Sequence, residues 1–89
     1  MPKSLRHAVA LHYEENEDAA PRVVAKGAGH LADRIVEIAR RHGVPVKEDP
    51  DLAALLSQLD LNTQIPPELY RAVAEVLAFV YRLSASGPR

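Results

Sequence analysis

The hydrophobic period changes abruptly at Gly27-Ala28-Gly29, and this change narrows the folds open to the chain. Upstream, residues 7–13 alternate: Val9, Leu11 and Tyr13 fall on one face, Ala8, Ala10 and His12 on the other, as a pleated strand requires. Arg22 to Lys26, centred on Val23 and Val24, reads as a second strand ended by Gly27. Downstream the period becomes helical, with Leu31, Ile35, Ile38 and His42 recurring over a helix from Ala28 to His42. Gly43 supplies its stop, and Arg40, Arg41 and His42 suit the negative helix end. Strands feeding a helix in so short a space imply helices packed on a sheet.

The remaining elements extend this pattern. Val44-Pro45-Val46 reads as a third short strand, which would complete one βαβ unit, right-handed in nearly all proteins. Asp49-Pro50-Asp51 opens a second helix, with Asp49 as N-cap, Pro50 at the first position, and Leu52, Leu55, Leu56 and Leu59 as its apolar side. After the polar Asn62-Thr63-Gln64 link, Pro66-Pro67-Glu68 starts a third helix that runs to Leu83 and carries Leu69, Val73, Val76, Leu77 and Val80. The expected fold is α/β (α+β): a small mixed sheet of about three strands packed with three helices. One domain is expected over residues 7–83, between a flexible N-terminus (1–6) and a flexible tail (84–89).

Composition removes several function classes. Eighty-nine residues suit one domain, which buries only about 60 % of its unfolded surface, so a partner covering a bare edge would add stability. Eleven basic against 12 acidic side chains form no dense cationic stripe, which argues against nucleic acid; Arg40-Arg41-His42 with Lys47 is the nearest approach to one. Cysteine is absent, which excludes disulfides, thiolate metal sites and a cysteine nucleophile, and agrees with a reducing cytoplasm. No apolar run approaches the roughly 20 residues needed to cross a bilayer. Nor does an apolar stretch follow the basic N-terminal residues, so cytoplasmic residence without membrane insertion is expected.

Candidate chemistry is sparse. His7 and His12 fall on opposite strand faces, and His30 and His42 lie near opposite ends of one helix, so neither metal nor cofactor is expected. No serine or threonine sits in a nucleophile elbow, and the acidic run Glu14 to Asp18 reads as a solvated loop. An enzyme is not expected, and no catalytic residue is named. Gly27-Ala28-Gly29-His30-Leu31-Ala32 does match the G-x-G-x-x-G/A dinucleotide pattern, with Glu48 and Asp49 about 20 residues further on. A small-ligand or nucleotide-binding module at Gly27–Ala32 is therefore the second reading, although the chain has room for only one of the two mononucleotide halves. The first reading is a binding module. A small sheet leaves unpaired N–H and C=O groups along its sides, and an added strand satisfies them. His7, Val9, Leu11 and Tyr13 are the expected strand-acceptor edge, open also to self-association.

Several ordered blocks resemble one family. Ala8-Val9-Ala10-Leu11-His12-Tyr13, Pro21-Arg22-Val23-Val24-Ala25-Lys26-Gly27, Ala32 to Ile35, Gly43-Val44-Pro45 to Pro50, Leu52-Ala53, and Ile65-Pro66-Pro67-Glu68-Leu69-Tyr70 to Ala74-Glu75-Val76-Leu77-Ala78 are similar to the C-terminal cytoplasmic domain of the FlhB family of flagellar and type III export proteins. That domain cleaves itself between Asn and Pro of an Asn-Pro-Thr-His motif, in the turn before the strand aligned with residues 7–13. Counting back from Ala8, the motif falls on Lys3, Ser4, Leu5 and Arg6, none of which matches, and neither Asn16 nor Asn62 precedes a proline. The resemblance therefore implies a stand-alone chain that imitates the already-cleaved C-terminal fragment and does not cleave. It implies as partners a membrane-anchored FlhB fragment, which would supply a strand to residues 7–13, or other components of the export apparatus at the membrane. Lys26 and Gly27 lie at the strand end where family members meet export components. The implied role is docking or substrate-specificity switching in flagellar protein export, without turnover of a substrate.

Overall fold

The computed structural model describes residues 6–14 and 16–85. The chain runs through strands β1 (His7–His12) and β2 (Arg22–Ala28), helices α1 (His30–Arg41) and α2 (Pro50–Leu56), a 3-10 turn at Pro67–Leu69, and helix α3 (Tyr70–Ala85). The flexible ends expected at 1–6 and 84–89 lie outside the described residues, apart from three. Arg6 bonds to the start of α1, and Ser84 and Ala85 continue α3.

β1 and β2 pair antiparallel, with His7 opposite Ala28, Val9 opposite Lys26 and Leu11 opposite Val23. The register slips between Ala10 and Leu11, which leaves Val24 as the extra residue of a bulge on β2 while β1 stays regular. Alternation then separates two faces. Val9 and Leu11 pack against a core of Ala20, Leu52, Leu56, Ile65 and Val73, so α2 and α3 cover this side. On the opposite side Gly27, the partner of Ala8, lies beneath Leu31 of α1. A Cβ at Gly27 would come to 3.0 Å from the Leu31 Cβ and closer still to its Cγ, so the bare backbone is what lets α1 seat here. Ala32, the next residue of α1, is completely buried.

α1 departs from its expected orientation. Leu31 and Ile38, read above as core positions, are 56 % and 44 % exposed, while the small Ala32 is the one buried residue of the helix. A two-stranded sheet is too narrow to cover a broad apolar stripe, and close approach selects the small side chains for the contact. The third strand is likewise absent. Residues 44–49 carry no regular structure, so the sheet is wholly antiparallel and the βαβ unit is not completed. The physical reason is local: the Val44 N–H is spent on the Ala39 carbonyl at 2.8 Å, and Pro45 has no N–H to offer a ladder. The fold class and the three helices are as expected.

The return of the chain between α2 and α3 completes the sheet. Val23 N–H donates to Thr63 C=O (3.0 Å), Asn62 N–H to Val23 C=O (2.6 Å) and Ile65 N–H to Pro21 C=O (2.9 Å). Asn62 makes this turn in the left-handed region (φ 68°), a conformation asparagine tolerates better than most residues, and the Thr63 hydroxyl bonds the Asp60 carbonyl. Asp49 caps α2 through its Oδ1, which accepts from Leu52 N–H at 3.1 Å, with Pro50 in the first turn.

Two substitutions test this packing. Leu56→Ala should cost about 2–5 kcal/mol, a large share of the stability of so small a domain. Gly27→Ala should cost about 1–3 kcal/mol by pushing α1 off the sheet. Urea titration followed by circular dichroism reads both.

Candidate functional site

The two edges of the sheet differ. The outer edge of β2 is bonded by residues 62–65 over its first residues, Arg22 and Val23. The outer edge of β1 has no strand beside it among the described residues. Arg6 C=O accepts from Gly29 N–H at 2.8 Å, which fixes the phase of the ladder. In an antiparallel pair the backbone groups of alternate residues point to opposite sides, so those of Arg6, Ala8 and Ala10 turn toward β2. Those of His7, Val9 and Leu11 turn outward.

Of the residues expected as a strand acceptor, His7, Val9 and Leu11 lie on this side, and what each presents differs. Val9 and Leu11 send their side chains into the core and present only N–H and C=O groups to a partner. His7 is half-buried, and Tyr13 falls just beyond the end of β1. A strand pairing here would meet backbone, with side-chain selectivity coming from the two ends of the edge.

A cleft of about 400 Å³ lies at the start of β1, between Arg6 and the Asp33, Val36, Glu37 and Arg40 positions of α1. Arg6 reaches the Asp33 carboxylate at 3.1 Å. Glu37 pairs with Arg41 (3.6 Å) and Arg34 (4.0 Å), and Arg40 with Glu48 (3.9 Å). All of these pairs face solvent, so each adds little to stability, and together they leave the cleft polar but balanced. At the other end of β1 a shallow apolar groove of about 110 Å³ is walled by Tyr13, Ala19, Pro21, Tyr70, Ala74 and Leu77. Reading by periodicity missed this groove. Its one signal in the sequence is the small, apolar Ala19-Ala20-Pro21 that interrupts an acidic loop; Asp18 Oδ2 closes the turn before it by accepting from Glu14 N–H.

Lys26 and Gly27 occupy other roles than a surface contact. The Lys26 ammonium donates to the Ser57 and Leu59 carbonyls at 3.1 and 2.6 Å, in a part-buried position. It satisfies carbonyls left over at the C-terminal end of α2, where a cation is favoured. Gly27 is covered by Leu31. The same contact fills the Gly27–Ala32 turn, and the Gly29 amide is already given to Arg6, so the backbone a pyrophosphate would need is occupied. Among the described residues no group of three or more His, Asp or Glu is placed to hold a metal ion.

Comparison with known proteins decides the family. The family model described as FlhB HrpN YscU SpaS matches residues 4–80, most of the chain. The chain belongs to the FlhB family. It is 50 % identical over 82 residues to the YlqH protein of Bacillus subtilis, covering 92 % of this chain and 88 % of that protein. It is 55 % identical over 78 residues to the flagellar biosynthetic protein FlhB of Salmonella typhimurium, covering 86 % of this chain but 20 % of that one. The chain therefore spans about a fifth of the length of the FlhB protein it matches. The solved cytoplasmic domain of FlhB from Shewanella putrefaciens superimposes with a TM-score of 0.81 at 41 % identity, over 89 % of this chain and 62 % of that one. The PscU C-terminal domain superimposes at 0.78 with 36 % identity, over 84 % and 96 %. The fold is thus that of an FlhB-type cytoplasmic domain, and no helix among the described residues is long and apolar enough to cross a membrane.

Lys26→Met should lower the stability of this FlhB-family domain by about 1–3 kcal/mol, since two part-buried carbonyls lose a charged donor. Thermal denaturation of the purified chain measures it.

Proposed function

We propose that this FlhB-family chain is a non-catalytic docking module, which accepts an extended strand along β1 from a membrane-anchored FlhB fragment and so associates with the protein export apparatus on the cytoplasmic side. The observation that carries the reading is the outer edge of β1, which has no strand beside it among the described residues, with the backbone groups of His7, Val9 and Leu11 turned outward, while β2 is bonded within the chain at the start of its outer side. Strand addition supplies affinity through main-chain hydrogen bonds and needs no reacting group. The apolar groove begins at Tyr13, where the same edge ends, and has room for about one aliphatic side chain of a bound segment. Occupying this edge in place of the native fragment would alter which substrates the export apparatus accepts.

The chain should form a one-to-one complex with a soluble FlhB cytoplasmic fragment truncated at its cleavage asparagine, detected by titration calorimetry. Val9→Pro should weaken that complex at least tenfold, because it removes one outward N–H from the edge, where proline is sterically tolerated. Circular dichroism checks that the variant keeps its fold. No detectable complex, together with saturable NAD binding, would return the assignment to the glycine turn.

A further inference from the structure

The open edge of β1 has a self-complementary sequence. When two copies of a strand join antiparallel about a two-fold axis perpendicular to the sheet, the core faces of both copies lie on the same side. Residues paired across the join must then be both odd-numbered or both even-numbered. His7, Val9 and Leu11 turn their backbone groups outward, so they are the residues that would exchange hydrogen bonds. Centring the join on Ala10 sets Val9 opposite Leu11 of the second copy, His7 opposite its Tyr13, Ala8 opposite its His12, and Arg6 opposite its Glu14. Two like-sized apolar pairs, two His–Tyr pairs and two opposite charges fall into place together. Centring on Val9 instead sets Arg6 opposite His12 and His7 opposite Leu11, with Glu14 beyond the join.

The charges at the ends are accessible for this. The side chains of Arg6 and Glu14 are each 58 % exposed. In the single chain Arg6 bonds Asp33, which would share the guanidinium with the incoming carboxylate, and Glu14 stands 3.9 Å from His12. The bulge lies on β2, so β1 offers a regular ladder over its whole length.

We propose that two copies of this chain pair through β1 in the Ala10-centred register, forming a continuous four-stranded antiparallel sheet that closes the acceptor edge. This rests on the reading above that the edge takes a strand. Self-pairing and docking then exclude one another, and local concentration of the chain regulates how much of it is free to dock. The contact is small, so the dimer is weak and its population follows concentration.

Sedimentation equilibrium of the full chain over a wide concentration range tests this. The wild-type chain should show a monomer–dimer equilibrium. Arg6→Glu and Glu14→Arg should each weaken self-association at least tenfold, with the fold checked by circular dichroism. An equimolar mixture of the two variants should recover dimer at the wild-type level, since the carboxylates of one variant then face the guanidinium groups of the other at both ends. Adding the truncated FlhB fragment should dissociate the wild-type dimer. A chain that stays monomeric at millimolar concentration, charge reversals without effect, or a mixture that fails to recover overturns the proposal. If the chain is monomeric yet binds the FlhB fragment, the self-pairing is wrong and the docking reading survives. If the dimer forms with this charge pattern and the fragment does not bind, the docking reading is the one that falls.

Discussion

Two paired strands do not hold together in water unless something covers them, and in this molecule the cover comes from three places. α1 seats on one face at Gly27, the core that includes Leu52, Leu56 and Val73 of α2 and α3 packs against Val9 and Leu11 on the other, and residues 62–65 bond the start of the outer side of β2. Val23 is where these come together. Its side chain is fully buried, and both of its backbone groups are bonded to the returning chain. The arrangement bonds the start of one edge, and among the described residues no strand lies beside the outer side of β1. An unpaired strand edge of this kind is a template for another strand, and the proposed docking rests on this asymmetry.

Residues that carry charge or special geometry here serve packing first. Lys26 would pass for a surface cation, yet its position opposite Val9 turns it inward to hold the end of α2. Gly27 and Gly29 would pass for a phosphate loop, yet one admits Leu31 and the other bonds Arg6. In a chain of 89 residues a given side chain is seldom far from the core, so the same residue is drawn into structural work more often than in a large protein. The proposed docking would therefore fall to the backbone of an edge strand and to what lies at its ends: a balanced charged cleft at Arg6 and a small apolar groove at Tyr13. The solved FlhB and PscU domains superimpose on this arrangement of strands and helices.

Local pattern was sufficient for the elements. The alternation of Val9, Leu11 and Tyr13, the Asp49-Pro50 start and the leucines that follow it, and the Pro66-Pro67 entry to α3 all place structure where it is found, because periodicity and caps act over a few residues. The family blocks were legible for the same reason, as runs of short-range constraint in a set order. The fates of Leu31, Lys26 and the Ala19-Ala20-Pro21 groove were not. Each depends on what a distant segment covers, and a stripe of apolar residues carries no record of whether the sheet beneath it is wide enough to use it. Strands, helices and their order thus follow from neighbouring residues alone. Which edge stays bare, and which side chains are spent on holding the fold, was decided only when Asn62 to Ile65 came to rest against β2, because a hydrogen bond between remote backbones leaves no mark in the sequence around either.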